Sequence, residues 1–189
     1  MSKFLTVLHE KPVLVADGAT GTMLQKAGLT PGAAPERWNL ENPDAVRALY
    51  KAYIDAGADM VLTNTFGGTP ARLERDGLRE HVHAVNLAAA QLAREVAGEG
   101  TLVIGDIGPT GQMLEPLGPL TYTDAVAGFA AQAAALAEGG ADAILIETMS
   151  DLNEMTAAIE GVRQVTALPI LATMSFDTKG RTMMGVKPE

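Results

Sequence analysis

Short apolar runs alternate with longer amphipathic segments along the chain. Five of these runs are almost continuously apolar, which is typical of parallel strands that are covered on both faces. The runs are 13–16, 60–63, 102–105, 143–146 and 169–173. The pattern predicts five parallel strands separated by helices, and this alternation favours an α/β fold with right-handed crossovers.

The segments between the runs carry recognisable helix ends. Asn42 followed by Pro43 is a start signal, and Gly57 ends the helix that follows. Thr121 and Asp124 have the spacing of a capping box at the start of another helix. The four helices predicted in this way cover 42–57, 78–97, 121–139 and 151–166.

Two segments of the chain resemble each other at an offset of 83 residues. Segments 56–65 and 139–148 each combine a helix end, a Gly-Ala-Asp turn and a strand that ends in a polar residue followed by threonine. Asn64 and Glu147 occupy the same place in the two segments. Repetition of this kind is typical of a (β/α) barrel, although a doubly wound sheet is also built from such units.

Polar side chains follow the predicted strands at the point where each strand ends. In α/β folds the reactive face lies beyond the carboxyl ends of the strands. The candidates at these ends are Asp17, Asn64, Thr65, Asp106 and Glu147. Three carboxylates on one rim repel each other, so they need a cation, a bound ammonium group or a shared proton.

A glycine-rich turn, 17–22, follows the first run and is suited to binding an anion through its backbone N–H groups. It lacks the Gly-Lys-Ser/Thr of a P-loop and the glycine spacing of a dinucleotide-binding turn. Asp17 together with Glu147 would hold an ammonium group, while the turn at Gly18 would hold a carboxylate. This pair of features predicts a site for an amino acid zwitterion.

Composition excludes several classes of function. The 189 residues include 14 basic and 23 acidic residues, a net charge of −9, so we expect no nucleic-acid partner. The chain has no cysteine, which excludes a disulfide scaffold, a thiol nucleophile and a thiolate metal site within it. Its apolar runs are too short to cross a membrane and no secretory signal is recognisable, so a cytoplasmic location is expected.

Six motifs occur in order and resemble one known family. They lie at 17–24, 35–39, 63–66, 105–111, 147–152 and 174–185. Together they are similar to the homocysteine-binding barrel of cobalamin-dependent methionine synthase and related homocysteine S-methyltransferases. The resemblance covers essentially all of 1–189 but only the first part of the family's (β/α)8 TIM barrel. It therefore implies an incomplete barrel of about five strands, with the whole chain as its N-terminal part.

The resemblance also implies an activity, methyl transfer to the thiol of homocysteine to give methionine. Asp17, Gly18 and Glu147 match positions that hold the amino acid end of the substrate, and Asn64, Thr65 and Asp106 match positions that line the same pocket. The family holds zinc through three cysteines of later strands, which this chain lacks. Methylcobalamin or another methyl donor is expected on parts that are absent here. We assign no catalytic residue and no metal ligand to this chain.

An incomplete barrel leaves open sheet edges. We therefore expect self-association or a complementary barrel fragment, weak homocysteine binding, and no methyl transfer by the chain alone. Two other functions remain open. One is a magnesium-dependent (β/α)8 lyase or aldolase that uses Asp17, Asp106 and Glu147 as ligands. The other is a non-catalytic half-barrel that acts as a subunit or interaction module.

Overall fold

The computed structural model describes residues 2–11, 13–177 and 179–188. Its sheet contains four parallel strands in sequential order, namely β1 (Met60–Leu62), β2 (Leu102–Ile107), β3 (Ala143–Met149) and β4 (Ile170–Met174). Within these residues there are eight α-helices, namely α1 (Lys3–Glu10), α2 (Gly21–Lys26), α3 (Trp38–Glu41), α4 (Pro43–Asp55), α5 (Pro70–Leu73), α6 (Val82–Ala97), α7 (Tyr122–Glu138) and α8 (Leu152–Val165). Short 3-10 helices cover Pro35–Arg37, Glu74–Asp76 and Arg79–His81.

The first predicted strand, 13–16, is reduced to a single parallel bridge between Ala16 and Met60. The backbone N–H of Asp17 continues this pairing by donating to the carbonyl of Met60 at 3.0 Å. Val15 is 54% exposed, so this run lies at an uncovered edge and not between two layers. The prediction of a regular strand here is therefore wrong, although the run still places Asp17 beside β1.

The helix ends follow the sequence signals closely. Helix α4 begins at Pro43, and α6 ends where Gly98 follows it. The Thr121 hydroxyl caps α7 by accepting from the backbone N–H of Asp124 at 3.0 Å. The predicted helix over 78–97 begins as a 3-10 turn, so its α-helical part starts later than expected.

The strands alternate their side chains between two faces of the sheet. The outer face packs against helices, with Val61 and Val103 in one cluster and Ile144 and Ile146 in another. The inner face near the amino ends of the strands is closed by Phe4 of α1, a helix that the sequence patterns did not predict. Its apolar cluster also contains Leu102, Ile104 and Ala143, with Leu62, Leu145 and Leu171 packed against it.

The inner row changes from apolar to acidic toward the carboxyl ends of the strands. On β2, the alternation that turns Ile104 inward also turns Asp106 inward. On β3, the same alternation takes Leu145 and then Glu147 to that face. The fold thus gives two neighbouring strands an apolar base and a carboxylate at the rim.

Candidate functional site

A cavity of about 910 Å3 opens at the carboxyl ends of the strands. Five of the six predicted site residues lie on its wall, namely Asp17, Gly18, Asn64, Asp106 and Glu147. They come from the edge segment, from the loop after β1, from β2 and from β3. The wall also includes Glu36, Phe66, Gly67 and Arg72, which the sequence analysis did not select.

Asp17 is half-buried at this wall. One of its carboxylate oxygens accepts the backbone N–H of Leu62 at 2.9 Å, which fixes the side chain against β1. Burial raises the pKa of Asp17 to about 6, against the opposing effect of this hydrogen bond, and the charge of Glu147 raises it further. Asp17 and Glu147 thus line the same cavity, and the negative charge of Glu147 acts on Asp17.

Asp106 of β2 and Glu147 of β3 lie on neighbouring strands and line the same cavity, where each influences the pKa of the other. Asp106 is only 5% exposed, and its Oδ1 atom has no hydrogen-bond partner in the part of the chain that the structure describes. Burial raises the pKa of Asp106 well above its usual range, and the charges of Glu147, Asp17 and Glu36 add to this effect. Burial also raises the pKa of Glu147.

A β-bulge shapes the end of β3 beside Glu147. Ile146 pairs with Ala172 and Met149 with Met174, so β3 has one more residue than β4 in this interval. The extra residue is Thr148, whose φ of 63° is unusual for a β-branched side chain. The bulge leaves Glu147 on the cavity wall while Met149 returns to the outer core. No sequence signal pointed to this feature.

Asn64 is held in the wall by hydrogen bonds to three other parts of the chain. Its backbone N–H donates to the Tyr50 hydroxyl at 2.8 Å. Its side-chain amide donates to the carbonyl of Pro35 and to Oδ1 of Asn39, both at 2.8 Å. Asn39 in turn donates to the Asn64 carbonyl at 2.9 Å. Asn64 thus joins the loop after β1 to the segment before α4.

Thr65 lies behind the wall of the cavity and not on its surface, unlike the expectation from the sequence. It is fully buried, and its hydroxyl donates to the Asp106 carbonyl at 2.7 Å. Gln132 of α7 donates to the Thr65 carbonyl at 2.7 Å. Thr65 follows Asn64 directly, and its side chain turns toward the backbone of β2 while its carbonyl faces α7. Its position supports the backbone of β2 just where Asp106 projects.

Glu36 is a buried carboxylate of the cavity wall that sequence reasoning missed. It is 5% exposed, and its Oε1 atom accepts the backbone N–H of Gly67 at 2.6 Å. Burial raises the pKa of Glu36, whereas the nearby guanidinium of Arg72 lowers it. The signal for Glu36 was its place in the motif at 35–39, although nothing in the spacing showed that it faces the cavity.

The glycine turn after Asp17 is fixed by Tyr53 of α4. The Tyr53 hydroxyl donates to the carbonyl of Ala19 at 3.0 Å. A Cβ atom at Gly18 would lie 3.1 Å from the same hydroxyl, so a side chain there would displace the tyrosine. Gly18 and Ala19 are exposed, and within the described ranges their backbone N–H groups donate no hydrogen bond.

The described residues contain no group of three or more His, Asp or Glu side chains placed to hold a metal ion. The chain also has no cysteine, so these residues do not fit a thiolate zinc site. The magnesium-dependent alternative requires such a group and finds no support. In the same ranges, no helix combines the length and the apolar character needed to cross a membrane.

Comparison with known families identifies the chain. A statistical description of the family named Homocysteine S-methyltransferase matches residues 14–189. The chain belongs to this family. The resemblance seen in the six sequence motifs is thereby confirmed for the homocysteine S-methyltransferases. The match also includes every residue that lines the cavity.

Two curated relatives of this homocysteine S-methyltransferase domain are mycobacterial methionine synthases. The Mycobacterium tuberculosis protein is 33% identical over 198 residues, covering 96% of this chain and 16% of the relative. The Mycobacterium leprae protein is 33% identical over 190 residues, covering 92% of this chain and 16% of the relative. The chain thus spans about a sixth of the length of these relatives.

The fold is shared with solved structures of the homocysteine methyltransferase MmuM from Escherichia coli. The oxidized form matches with a TM-score of 0.83 and 23% identity, covering 97% of this chain and 69% of MmuM. The metallated form matches with a TM-score of 0.82 and 24% identity, covering 96% of this chain and 69% of MmuM. This likeness confirms the α/β, TIM-barrel type of fold, of which the described residues of the homocysteine S-methyltransferase domain form four strands.

Proposed function

We propose that this chain supplies the amino-acid-binding part of a homocysteine S-methyltransferase of the methionine synthase type, which transfers a methyl group to the homocysteine thiol to give methionine. The observation that carries the proposal is the meeting of Asp17, Asp106 and Glu147, from three separate elements, in one cavity. Membership of the family supplies the reaction class, and this acidic wall supplies the reason for an amino acid substrate.

The proposed binding mode uses the two charged ends of the zwitterion. The ammonium group lies between Asp17 and Glu147, where partial burial strengthens the attraction between opposite charges. The carboxylate accepts from the exposed N–H groups of the turn at Gly18. With both ends held, the thiol-bearing side chain is the free end of the substrate, available for methyl transfer.

Cofactors and location remain proposals at the level of the family. Zinc would supply a thiolate nucleophile at neutral pH, but its ligands are not among the residues of this chain. Methylcobalamin, or another methyl donor, would supply the methyl group. A cytoplasmic location also stays a prediction.

The open edge of the sheet supports the proposed association with a second chain. Strand β4 pairs with β3, and among the described residues no strand pairs with its other edge. Ala172 and Thr173 on β4 are exposed. We propose self-association or a complementary barrel fragment at this edge. Sedimentation velocity would show an oligomer for the first case and a monomer for the second.

Calorimetric titration of the chain with L-homocysteine tests the proposed function. We expect measurable binding, which Asp17→Asn and Glu147→Gln each weaken. Matched controls are Asp44→Asn and Glu99→Gln, because these carboxylates are 92% and 97% exposed and lie outside the cavity. Absence of binding to the folded chain, or equal effects of the site variants and controls, would overturn the proposal.

A further inference from the structure

The acidic wall contains a buried carboxylate beside the pair that the proposed binding mode uses. Asp106 lines the cavity together with Asp17 and Glu147, and it lies on the strand next to that of Glu147. We propose that Asp106 and Glu147 share one proton in the ligand-free cavity and that the ammonium group of the incoming amino acid replaces this proton. The inference rests on the proposed function and adds a role for Asp106 in selecting the ligand.

A buried and a half-buried carboxyl group on neighbouring strands of one cavity favour sharing a proton over carrying two negative charges. An ionised carboxylate only accepts hydrogen bonds, whereas a protonated carboxyl group has one O–H that it can donate. Two carboxyl groups in hydrogen-bond contact therefore carry one proton between them. Asp106 is 5% exposed and lines the same cavity as Glu147 of the neighbouring strand, so one shared proton removes one negative charge from the empty cavity.

The groups that surround Asp106 keep this proton in place when the cavity is empty. Asp17 from the edge segment and Glu36 from the 3-10 helix before α3 both act on it with negative charge. Tyr50 of α4 is a neutral phenol, since complete burial raises its pKa. Arg72 of α5 and Arg75 are cationic groups on the same wall, and Arg72 acts on Glu36. Asp106 itself therefore faces acidic neighbours.

One carboxyl oxygen of Asp106 can accept a further hydrogen bond. Asp106 Oδ1 is buried, lies in a side chain on the cavity wall and has no hydrogen-bond partner among the described residues. A buried acceptor without a donor costs free energy, which a ligand that supplies an N–H recovers. An ammonium group has three donors, enough for Asp106, Glu147 and Asp17 at once.

The exchange is balanced in charge and in protons. The ligand-free pair holds one proton and one negative charge, and the complex holds two negative charges with one ammonium between them. The displaced proton leaves to solvent. Linkage then requires that affinity falls about tenfold for each pH unit below the range in which the pair gives up its proton. A quaternary ammonium brings charge without N–H donors, so Asp106 disfavours it.

The test is calorimetric titration of the full chain with L-homocysteine at about pH 7.5, in two buffers that differ in ionisation enthalpy. At this pH Asp17, whose pKa is about 6, is already ionised and releases almost no proton of its own. For the native chain we expect different apparent binding heats, which report release of a fraction of a proton for each ligand bound. Asp106→Asn should remove most of this buffer dependence and flatten the dependence of affinity on pH. Asp44→Asn makes the same chemical change on the exposed surface, so it should keep both the buffer dependence of the binding heat and the pH dependence of the affinity.

The outcomes separate this inference from the proposed function. Complete absence of homocysteine binding to the folded native chain contradicts the proposed function. Binding with equal heats in both buffers and no pH dependence contradicts the proton exchange alone. If Asp106→Asn does not fold, infrared spectroscopy of the native chain decides, since a protonated carboxyl band should be present without ligand and vanish when homocysteine binds. A band that persists in the complex overturns the inference.

Discussion

The first repeat (56–65) and the second repeat (139–148) begin in the same way and end differently. Gly57 and Gly140 both follow a helix with positive φ angles of 98° and 96°. This left-handed conformation favours glycine over any residue with a side chain. The resemblance in sequence therefore reflects the same turn from helix to strand, made twice.

The aspartates of the two repeats also make equivalent hydrogen bonds. One carboxylate oxygen of Asp59 accepts the backbone N–H of Val15 at 2.8 Å. The corresponding oxygen of Asp142 accepts the backbone N–H of Val103, also at 2.8 Å. Each aspartate thus ties the start of its strand to the preceding strand or edge segment. The repeated unit aligns neighbouring strands and so brings their carboxyl ends to one rim.

The ends of the repeats differ because their polar residues meet different partners. Asn64 donates hydrogen bonds to Pro35, Asn39 and Tyr50, and it thereby stabilises the cavity wall. Glu147 lies on a strand that bulges, and it shares the cavity with the acidic Asp106. The αβ unit therefore determines where a strand ends. The polar residue at that end determines whether the position becomes part of the supporting wall of the cavity or part of the ligand site.

The largest expected effect is on stability, from Asn64→Ala. This change leaves buried groups of Asn39 and Pro35 without partners, so the free energy of unfolding should fall by about 3 kcal/mol. Chemical denaturation measures it. Glu147→Gln should not lower stability, because it removes negative charge from an acidic cavity. Equal losses in the two variants would contradict the division between wall and ligand site.

Glu147→Gln should instead weaken homocysteine binding by about 2 kcal/mol, the usual range for a hydrogen bond to a charged group. Calorimetric titration measures the change, with Glu99→Gln as the control. If Glu147→Gln binds homocysteine as tightly as Glu99→Gln does, Glu147 is part of the supporting wall, as Asn64 is, and not part of the ligand site.

Stability should also depend on pH through Asp17. Its pKa in the folded chain is about 6, above the usual aspartate value of 3.8, so the folded state binds more protons between these values. The free energy of unfolding should therefore decrease as pH rises from about 4 to about 6 and then level off. Because Asp17 is partly solvent-screened, we expect about 1 kcal/mol. Denaturation across this range should show the decrease in the native chain, with Asp17→Asn less affected.

The smallest effect concerns the bulge that distinguishes the second repeat. Thr148 adopts a left-handed φ that costs a β-branched residue free energy. Thr148→Gly should therefore raise the free energy of unfolding by about 0.5–1 kcal/mol. Gly140→Ala should lower it by a similar amount, since φ is also positive there. A loss of stability in Thr148→Gly would show that the threonine side chain supports the bulge.

Sequence patterns predicted most of the fold because it rests on local signals. Apolar runs marked β1 to β4, and caps such as Thr121 marked helix boundaries. The strand at 13–16 failed because its apolar residues lie on an uncovered edge, which periodicity does not reveal. Helix α1 was missed because its reason to fold is tertiary, the packing of Phe4 on the inner face.

The site was predictable only where strand ends determine it. The ends of two apolar runs placed Asp106 and Glu147 at one rim, and the glycine turn marked Asp17. Glu36 depends on a loop folding back onto Gly67, a contact between residues 31 positions apart. The bulge at Thr148 depends on pairing with β4. Neither leaves a local pattern in the sequence.

The most direct measurement of the central claim compares L-homocysteine with N-acetyl-L-homocysteine in calorimetric titrations of the native chain. Acetylation removes the positive charge and two of the N–H donors while leaving the thiol and carboxylate. If the acidic wall recognises an ammonium group, homocysteine binds and the acetylated compound shows no measurable binding. Equal affinities for the two compounds would contradict that recognition.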